Sequence, residues 1–252
     1  MAIVLDLLRG FEALDKEPKT ALADACAGVV SVASHVTLAL QGQTPEGLHL
    51  LVDGWACRYK LLDNGRRQIS AVFLPGDACD LDGLGGGRFT CEVATLMPCR
   101  VAVWRHRALA AVMQDHPSIG AALLRLALAE NAILTQNAVA LGQFSGRERL
   151  AHLLCELLAR LHAAGRAKPD RCFLPMKQSE LADAVGLTTV HVNRLLQELR
   201  SEGLIRLANH RLTVLDLDGL RAVGQFQPDY LLGAAEPDVR PDSRRHSREA
   251  NS

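Results

Sequence analysis

Three rhythms of hydrophobic and polar positions follow one another along the 252 residues. From His35 to Val103 the apolar runs are short and rich in β-branched residues: VTLAL, LHLLV, WACRYKLL, RQISAVF, TCEVAT and CRVAVW. Turn dipeptides separate them, at Asp53-Gly54, Asn64-Gly65 and Pro75-Gly76. Asn64-Gly65 between two apolar runs predicts a hairpin, because both residues tolerate the positive φ of a tight turn. Short strands at this spacing predict a small antiparallel barrel or roll. Ahead of it, Thr20 is placed to cap a short helix, ALADACAG.

After His116-Pro117 the period becomes helical, and no proline occurs from Ser118 to Gln143. Leu124, Ala127, Asn131, Leu134, Ala138 and Leu141 step alternately by three and four, the spacing of a coiled-coil seam. The pattern predicts a dimerisation helix over 117–144, with Asn131 fixing register and partner number. A helix packed on its own roll is the alternative.

A third segment starts at Ser145. Ser145 and Glu148 have capping-box spacing just before RLAHLLCELLARL, so a new helix begins there and the break before it is a hinge. Residues 163–175, with Gly165, Pro169 and Pro175, read as a loop. Then comes LADAVGLTTVHVNRLLQELRSEGLI. Leu181, Ala182 and Val185 line one face of a first helix, and Val192, Leu195, Leu196 and Leu199 one face of a second. Gly186 between them can take the left-handed angle that ends a helix, and Thr188 can cap the next. Two short helices joined this tightly form a helix-turn-helix, whose second helix leaves its outer face free. LIRLANHRLTVLD reads as strand, turn, strand: a wing beside that helix. Asp218 is placed to cap one last short turn. Residues 234–252 are polar, charged and proline-containing, and are expected to be a disordered tail.

The bulk properties narrow the function. Hydrophobic residues make up 48% of the chain and aromatics 4%, so the cores rest on Leu, Val and Ala. Without a run of ~18 apolar residues, no membrane span is expected. MAIVLDLLRGFEALDKE lacks a basic start and carries acids among its apolar residues, so a cytoplasmic location is expected rather than export. Residues 145–212 hold 11 Lys/Arg against 7 Asp/Glu while the whole chain is neutral, a modest basic footprint where the helix-turn-helix lies. The seven cysteines form no CxxC and are expected to be free thiols. No nucleophile elbow, zinc-protease or phosphate-loop motif occurs, so an enzyme is not expected.

QSELADAVGLTTVHVNRLLQELRSEGLI resembles the helix-turn-helix of the CRP/FNR family of bacterial transcription regulators, in its L-A-x-x-x-G-L-T core, its V-x-R at Val192 and Arg194, and its EGLI approach to the wing. GWACRYKLL, LPGDACDL and VHVNRLLQELR are similar to an alphaproteobacterial-type branch of that family. The resemblance implies an α+β fold: an N-terminal antiparallel β-roll of the cupin-like, cyclic-nucleotide-binding type (1–116), a long dimerisation helix (117–144) and a C-terminal winged helix-turn-helix (145–233). It implies a homodimer bound to double-stranded DNA at an inverted repeat, with RNA polymerase as a further partner. Carried over by position, Thr189, Val190 and Arg194 are the base readers, with Arg194 forking to a guanine and Val190 able to touch a thymine methyl. Lys177, Gln178, Thr188 and His191 are placed to meet phosphates, as are His210 and Arg211 in the wing. Lys177 stands where the family often has a capping threonine.

The effector is less legible. The family's cyclic-nucleotide cassette pairs a Gly-Glu with a later Arg-Ser or Arg-Thr. Here PGDACDLDGLGGGRFTCEVA puts Asp80 in the Glu place and Phe89-Thr90 where Arg-Ser belongs, with Arg88 one residue early and so on the other face of a strand. Cyclic AMP is therefore not expected, although Asp80, Arg88 and Thr90 could still form a pocket for another anion with the Gly85-Gly86-Gly87 amides. An iron–sulfur cluster is not supported, because only Cys26 lies in the N-terminal region that would hold one. Haem stays open, with His35, His49, His106 and several cysteines as axial candidates, and so does a redox thiol among Cys57, Cys79, Cys91 and Cys99. No metal site is assigned. The expectation is a DNA-binding regulator controlled by a ligand or redox signal at the roll; the alternative is a haem- or small-ligand sensor that acts mainly through a protein partner.

Overall fold

The computed structural model describes residues 14–231, so the tail at 234–252 and most of the N-terminal segment lie outside the described residues. A first helix, α1 (Lys16–Asp24), starts at Asp15 rather than at Thr20, whose hydroxyl instead donates to the Lys16 carbonyl from inside the helix. Strand β1 (Gly28–Val32) follows, then β2 (Thr37–Ala39), β3 (Gly47–Asp53), β4 (Ala56–Leu61), β5 (Arg67–Phe73), β6 (Glu92–Thr95) and β7 (Cys99–Arg105). The six expected strands all form. β1 is the addition, and its mostly exposed GVVSV gives no alternating signal.

The strands make two antiparallel sheets, in the orders β1-β7-β3 and β2-β6-β4-β5. Alternation along β3 and β7 decides what each face does. Leu51, Cys99 and Val101 point into the roll with Phe73, Phe89 and Val93. Leu48, Leu50, Val52, Ala102 and Trp104 point outward under the helices, where the Trp104 indole donates to the Leu22 carbonyl at 2.7 Å. The second sheet also buries both faces. A bulge between Arg58 and Tyr59 shifts its register, and Trp55, Cys57, Ile69, Val72 and Leu74 join the core of the C-terminal part. The Asn64-Gly65 hairpin closes β4 on β5, with Gly65 at φ 78°.

Helix α2 (His106–Asp115) leads to α3 (Pro117–Gln143), 27 residues long. Ile119, Ala122 and Leu123 anchor its first half on the roll. Arg58 reaches its middle through a 2.7 Å ion pair to Glu130. By length and hydropathy α3 is apolar enough to cross a membrane, contrary to the expectation from run length. That ion pair and the packing on the roll tie it to the protein instead. Phe144 breaks the helix in extended conformation. Ser145 then starts α4 (Gly146–Ala163) with the expected reciprocal capping box to Glu148.

β8 (Arg171–Phe173) lies inside the segment expected to be loop, and it pairs with β10. The helix-turn-helix is α5 (Gln178–Val185) and α6 (Thr189–Ser201), followed by β9 (Ile205–Ala208) and β10 (Arg211–Val214) as a hairpin. The last helix, α7 (Leu217–Val223), is capped by Asp216 rather than Asp218: Asp216 accepts from Gly219 N at 2.9 Å, the short reach that residues one turn apart allow. α4 is the spine of this part, with Leu150, Leu154, Leu157 and Leu161 all buried.

A buried polar chain runs through the junction of the two parts. Arg160 on α4 donates to Asp77 (2.6 Å), Glu156 (3.2 Å) and the Val72 carbonyl (3.1 Å). The Tyr230 hydroxyl donates to Glu156 at 3.1 Å and lies 3.0 Å from His152, whose other ring nitrogen is 2.9 Å from the Gly224 carbonyl. Burial pushes the Tyr230 hydroxyl pKa up, and the Glu156 charge adds to it.

Candidate nucleic-acid interface and effector cavity

Gly186 ends α5 at φ 66°, and an added Cβ there would meet Leu141 Cδ2 at 3.2 Å as well as the strain of that angle. Thr188 then accepts from His191 N at 3.3 Å and starts α6. Val192, Leu195, Leu196 and Leu199 are all buried against α4 and α5. The opposite face, at the N-terminal end of α6, is left bare. Val190 is 81% exposed, extreme for a valine, and the Arg194 side chain is 67% exposed. Arg194 rests against His191 (3.1 Å) and Glu198 (3.6 Å), contacts loose enough to exchange for another partner.

The other residues picked out from the sequence divide into two groups. Thr189 is exposed beside Val190; His210 and Arg211 are exposed at the wing turn, where Asn209 and His210 both take positive φ. All three are exposed, and the His210 ring lies 6.2 Å from that of Phe173. Gln178 and Lys177 are more committed. Gln178 accepts from the Asn193 amide at 2.9 Å and ties α5 to α6. Lys177 leans on the roll, its Nζ 3.4 Å from His35 Nε2. Its backbone N–H donates to Glu180, so the first-turn acceptor survives although the capping threonine is absent.

Helix α5 also docks on β5. Arg67 pairs with Asp183 at 2.8 Å, and Gln68 donates to the Ala184 carbonyl at 3.2 Å. These contacts, like Arg160–Asp77, join residues far apart in sequence, and no local motif announces them.

On α3 the exposed positions include Ala121, Leu124, Leu128, Asn131, Thr135, Ala138 and Gly142, again alternating by four and three. Leu124 and Leu128 are each 60% exposed. Of the seam expected from sequence, Leu124, Asn131, Ala138 and Leu141 are exposed, whereas Ala127 and Leu134 are half-buried against the protein's own interior. The second row of the stripe therefore runs through Leu128 and Thr135.

A cavity of about 470 Å³ lies where the end of β5, the turn after it, α3 and α4 meet. Phe73, Leu81, Leu126, Ile133, Leu134 and Leu231 supply apolar wall, and Asp77, Arg125, Glu130 and Arg160 supply charge. Asp80, Arg88 and Thr90, expected to line an effector pocket, do not line this one. Asp80 is 1% exposed and accepts from the His49 backbone (2.8 Å) while its other oxygen lies 2.6 Å from His49 Nδ1. Arg88 donates to the Gly42 carbonyl, and Thr90 is exposed beside Cys91. Asp80 is thus buried against β3 through His49 while Arg88 and Thr90 stay exposed, so the three do not converge on one pocket. Burial works against a charged His49 imidazole, but the Asp80 hydrogen bond and charge outweigh it and raise its pKa. Among the described residues no group of three or more His, Cys, Asp and Glu is placed to hold a metal ion.

Burial separates the four roll cysteines among which a redox thiol was left open. Cys57, Cys79 and Cys99 are buried. Burial pushes the Cys57 thiol up to about 12, the Cys79 thiol well above its ordinary value and the Cys99 thiol upward, which disfavours the reactive thiolate. Cys91 and Cys26 are partly exposed.

A winged helix-turn-helix whose second helix is bare on one side, joined to a β-roll and a long helix, defines a DNA-binding regulator. The comparisons agree. Residues 148–223 match the Crp-like helix-turn-helix domain, and residues 29–116 match the cyclic nucleotide-binding domain. The nitrogen fixation regulation protein FixK of Azorhizobium caulinodans is 31% identical over 180 residues, 71% of this chain and 72% of that protein. The transcriptional activator protein FnrL of Cereibacter sphaeroides is 29% identical over 185 residues, covering 71% and 73%. FixK2 from Bradyrhizobium japonicum shares the fold at a TM-score of 0.72 and 24% identity, over 78% of this chain and 96% of that one. The chain belongs to the CRP/FNR family of bacterial transcription regulators.

Proposed function

We propose that the chain works as a homodimer joined along α3, that α6 reads an inverted-repeat operator, and that a signal at the roll controls binding. The observation that carries this is Val190 at 81% exposure beside Arg194 at 67%, on a helix whose other face is fully packed. A bare valine lowers solubility for no structural gain, and it suits contact with a thymine methyl in the major groove. Arg194 supplies the fork for a guanine, with Thr189 beside them. Thr188, His191, His210 and Arg211 flank that surface as phosphate contacts, and Lys177 and Gln178 join them once released from the roll and from Asn193. The exposed stripe from Ala121 to Gly142 is the dimer seam, with Asn131 setting register. RNA polymerase is the partner that a DNA-bound regulator of this family addresses.

The test is selection of operators from random duplexes by the full-length chain. Two recognition helices related by a two-fold axis meet major grooves about 34 Å, ~10 bp, apart. The reading requires an inverted repeat at that spacing, bound with steep salt dependence. Selection of a single asymmetric half-site, or of no sequence, contradicts it.

A further inference from the structure

Three of the four charged side chains at the junction cavity are already used. Arg160 is held by Asp77 and Glu156, and Glu130 by Arg58. Arg125 has no hydrogen bond or ion pair among the described residues, although it lies on the cavity rim. It is exposed and sits one residue, a 100° step around α3, from the stripe through Leu124 and Leu128. Most of the remaining wall is aliphatic, and about 470 Å³ is within the range of sites that enclose small organic ligands. Phe73 forms part of the wall between this cavity and the roll interior, which is itself filled by Phe89, Leu51, Val93 and Val101.

We propose that this junction cavity binds an amphiphilic organic monoanion, with an aliphatic body against Leu81, Leu126, Ile133 and Leu231 and its carboxylate on Arg125. The inference rests on the reading that the roll carries the control signal, and it specifies where the ligand sits and what it is. Position gives the ligand leverage. The same cavity is lined by Asp77, on the turn after β5, and by Arg160, on the spine of the DNA-binding part, so an occupant presses on both sides of the ion pair that joins them.

The probes are octanoate, its neutral isostere octanamide, and octylammonium, titrated calorimetrically into the full-length protein. Octanoate is expected to bind about fivefold more tightly than octanamide, the upper range for a partly exposed ion pair. Arg125→Gln should remove that preference while leaving octanamide affinity unchanged. Ala129→Phe, which fills the cavity from α3, should abolish binding of both, with unchanged circular dichroism showing that the variant folds. Octanamide binding as tightly as octanoate, a preference for octylammonium, an octanoate affinity unchanged by Arg125→Gln, or no binding at millimolar concentration would each overturn the proposal. Operator affinity measured with and without octanoate is read separately. Octanoate that binds as described without changing operator affinity upholds the ligand and removes control from this site. A change in operator affinity that persists in Arg125→Gln upholds control and removes the assigned ligand contact.

Discussion

Replacing Arg160 by methionine isolates what the junction ion pair does. The guanidinium makes three contacts within 3.2 Å, to Asp77, Glu156 and the Val72 carbonyl. Methionine keeps the apolar stem and leaves those acceptors behind. Asp77 is 34% exposed, so water recovers most of its loss; Glu156 is 3% exposed and keeps only the Tyr230 hydroxyl. Removing one member of a buried pair costs ~3–5 kcal/mol, chiefly through the charge left unpaired. Because Asp77 is rehydrated and Tyr230 remains, the lower end applies, about 3 kcal/mol. At roughly 2–4 °C per kcal/mol for a chain of this size, the melting temperature should fall by about 6–12 °C. Since the unpaired Glu156 is the main cost, adding Glu156→Gln to Arg160→Met should recover at least about 1 kcal/mol. Urea unfolding followed by circular dichroism and by tryptophan fluorescence measures both, with Trp55 placed in the core that spans the junction. A single variant within about 1 kcal/mol of the parent, or a double variant no more stable than the single, would refute the reasoning.

Three further outcomes are expected. Leu128→Asp, on the exposed stripe, should give a folded monomer by sedimentation at micromolar concentration whose melting temperature no longer depends on protein concentration, whereas Leu134→Asp should lower the melting temperature further because Leu134 lines the cavity; equal oligomer loss with equal stability in both variants would put the seam back where the sequence suggested. His49 has its pKa raised above 6.5 by Asp80, so the stability it contributes is fully present below about pH 6.5 and is lost as pH rises through the folded value; the urea midpoint of the parent should fall across that window relative to His49→Gln, and parallel curves would contradict the pairing. Brief alkylation of the native protein, read by mass spectrometry, should modify Cys26 and Cys91 ahead of Cys57, Cys79, Cys99, Cys155 and Cys172, whose thiols burial raises; early labelling of a buried position would show that the cores open locally.

What the sequence made legible is whatever is encoded over a few neighbouring residues. Gly186, Thr188, the Ser145–Glu148 box and the Asn64-Gly65 hairpin act within one turn of chain, and each forms as expected. The α6 core face follows from period alone. Elements defined by a distant partner were not legible. β8 is a strand only because β10 lies beside it, and β1 only because β7 does. Asp80 was placed in a possible effector pocket by its place in a motif, but its carboxylate is taken by His49, 31 residues away on β3. The cavity and its ion pairs join β5, α3 and α4, so no window of sequence contains them. The α3 stripe falls between these cases: its period was visible, while which positions the roll half-buries depends on packing from distant strands.

The central claim, that the bare end of α6 reads DNA through Arg194, is tested most directly by measuring the affinity of the parent and of Arg194→Ala for the selected operator and for its single-base variants. Loss of a bidentate guanine contact is worth ~1–3 kcal/mol per half-site and relaxes preference at one symmetric base position. If Arg194 is the reader, the loss falls at that position alone, with the salt dependence changed by no more than one contact per half-site. If Arg194→Ala binds the operator as tightly as the parent and ranks the variants in the same order, Arg194 is not the reader, and the claim is contradicted.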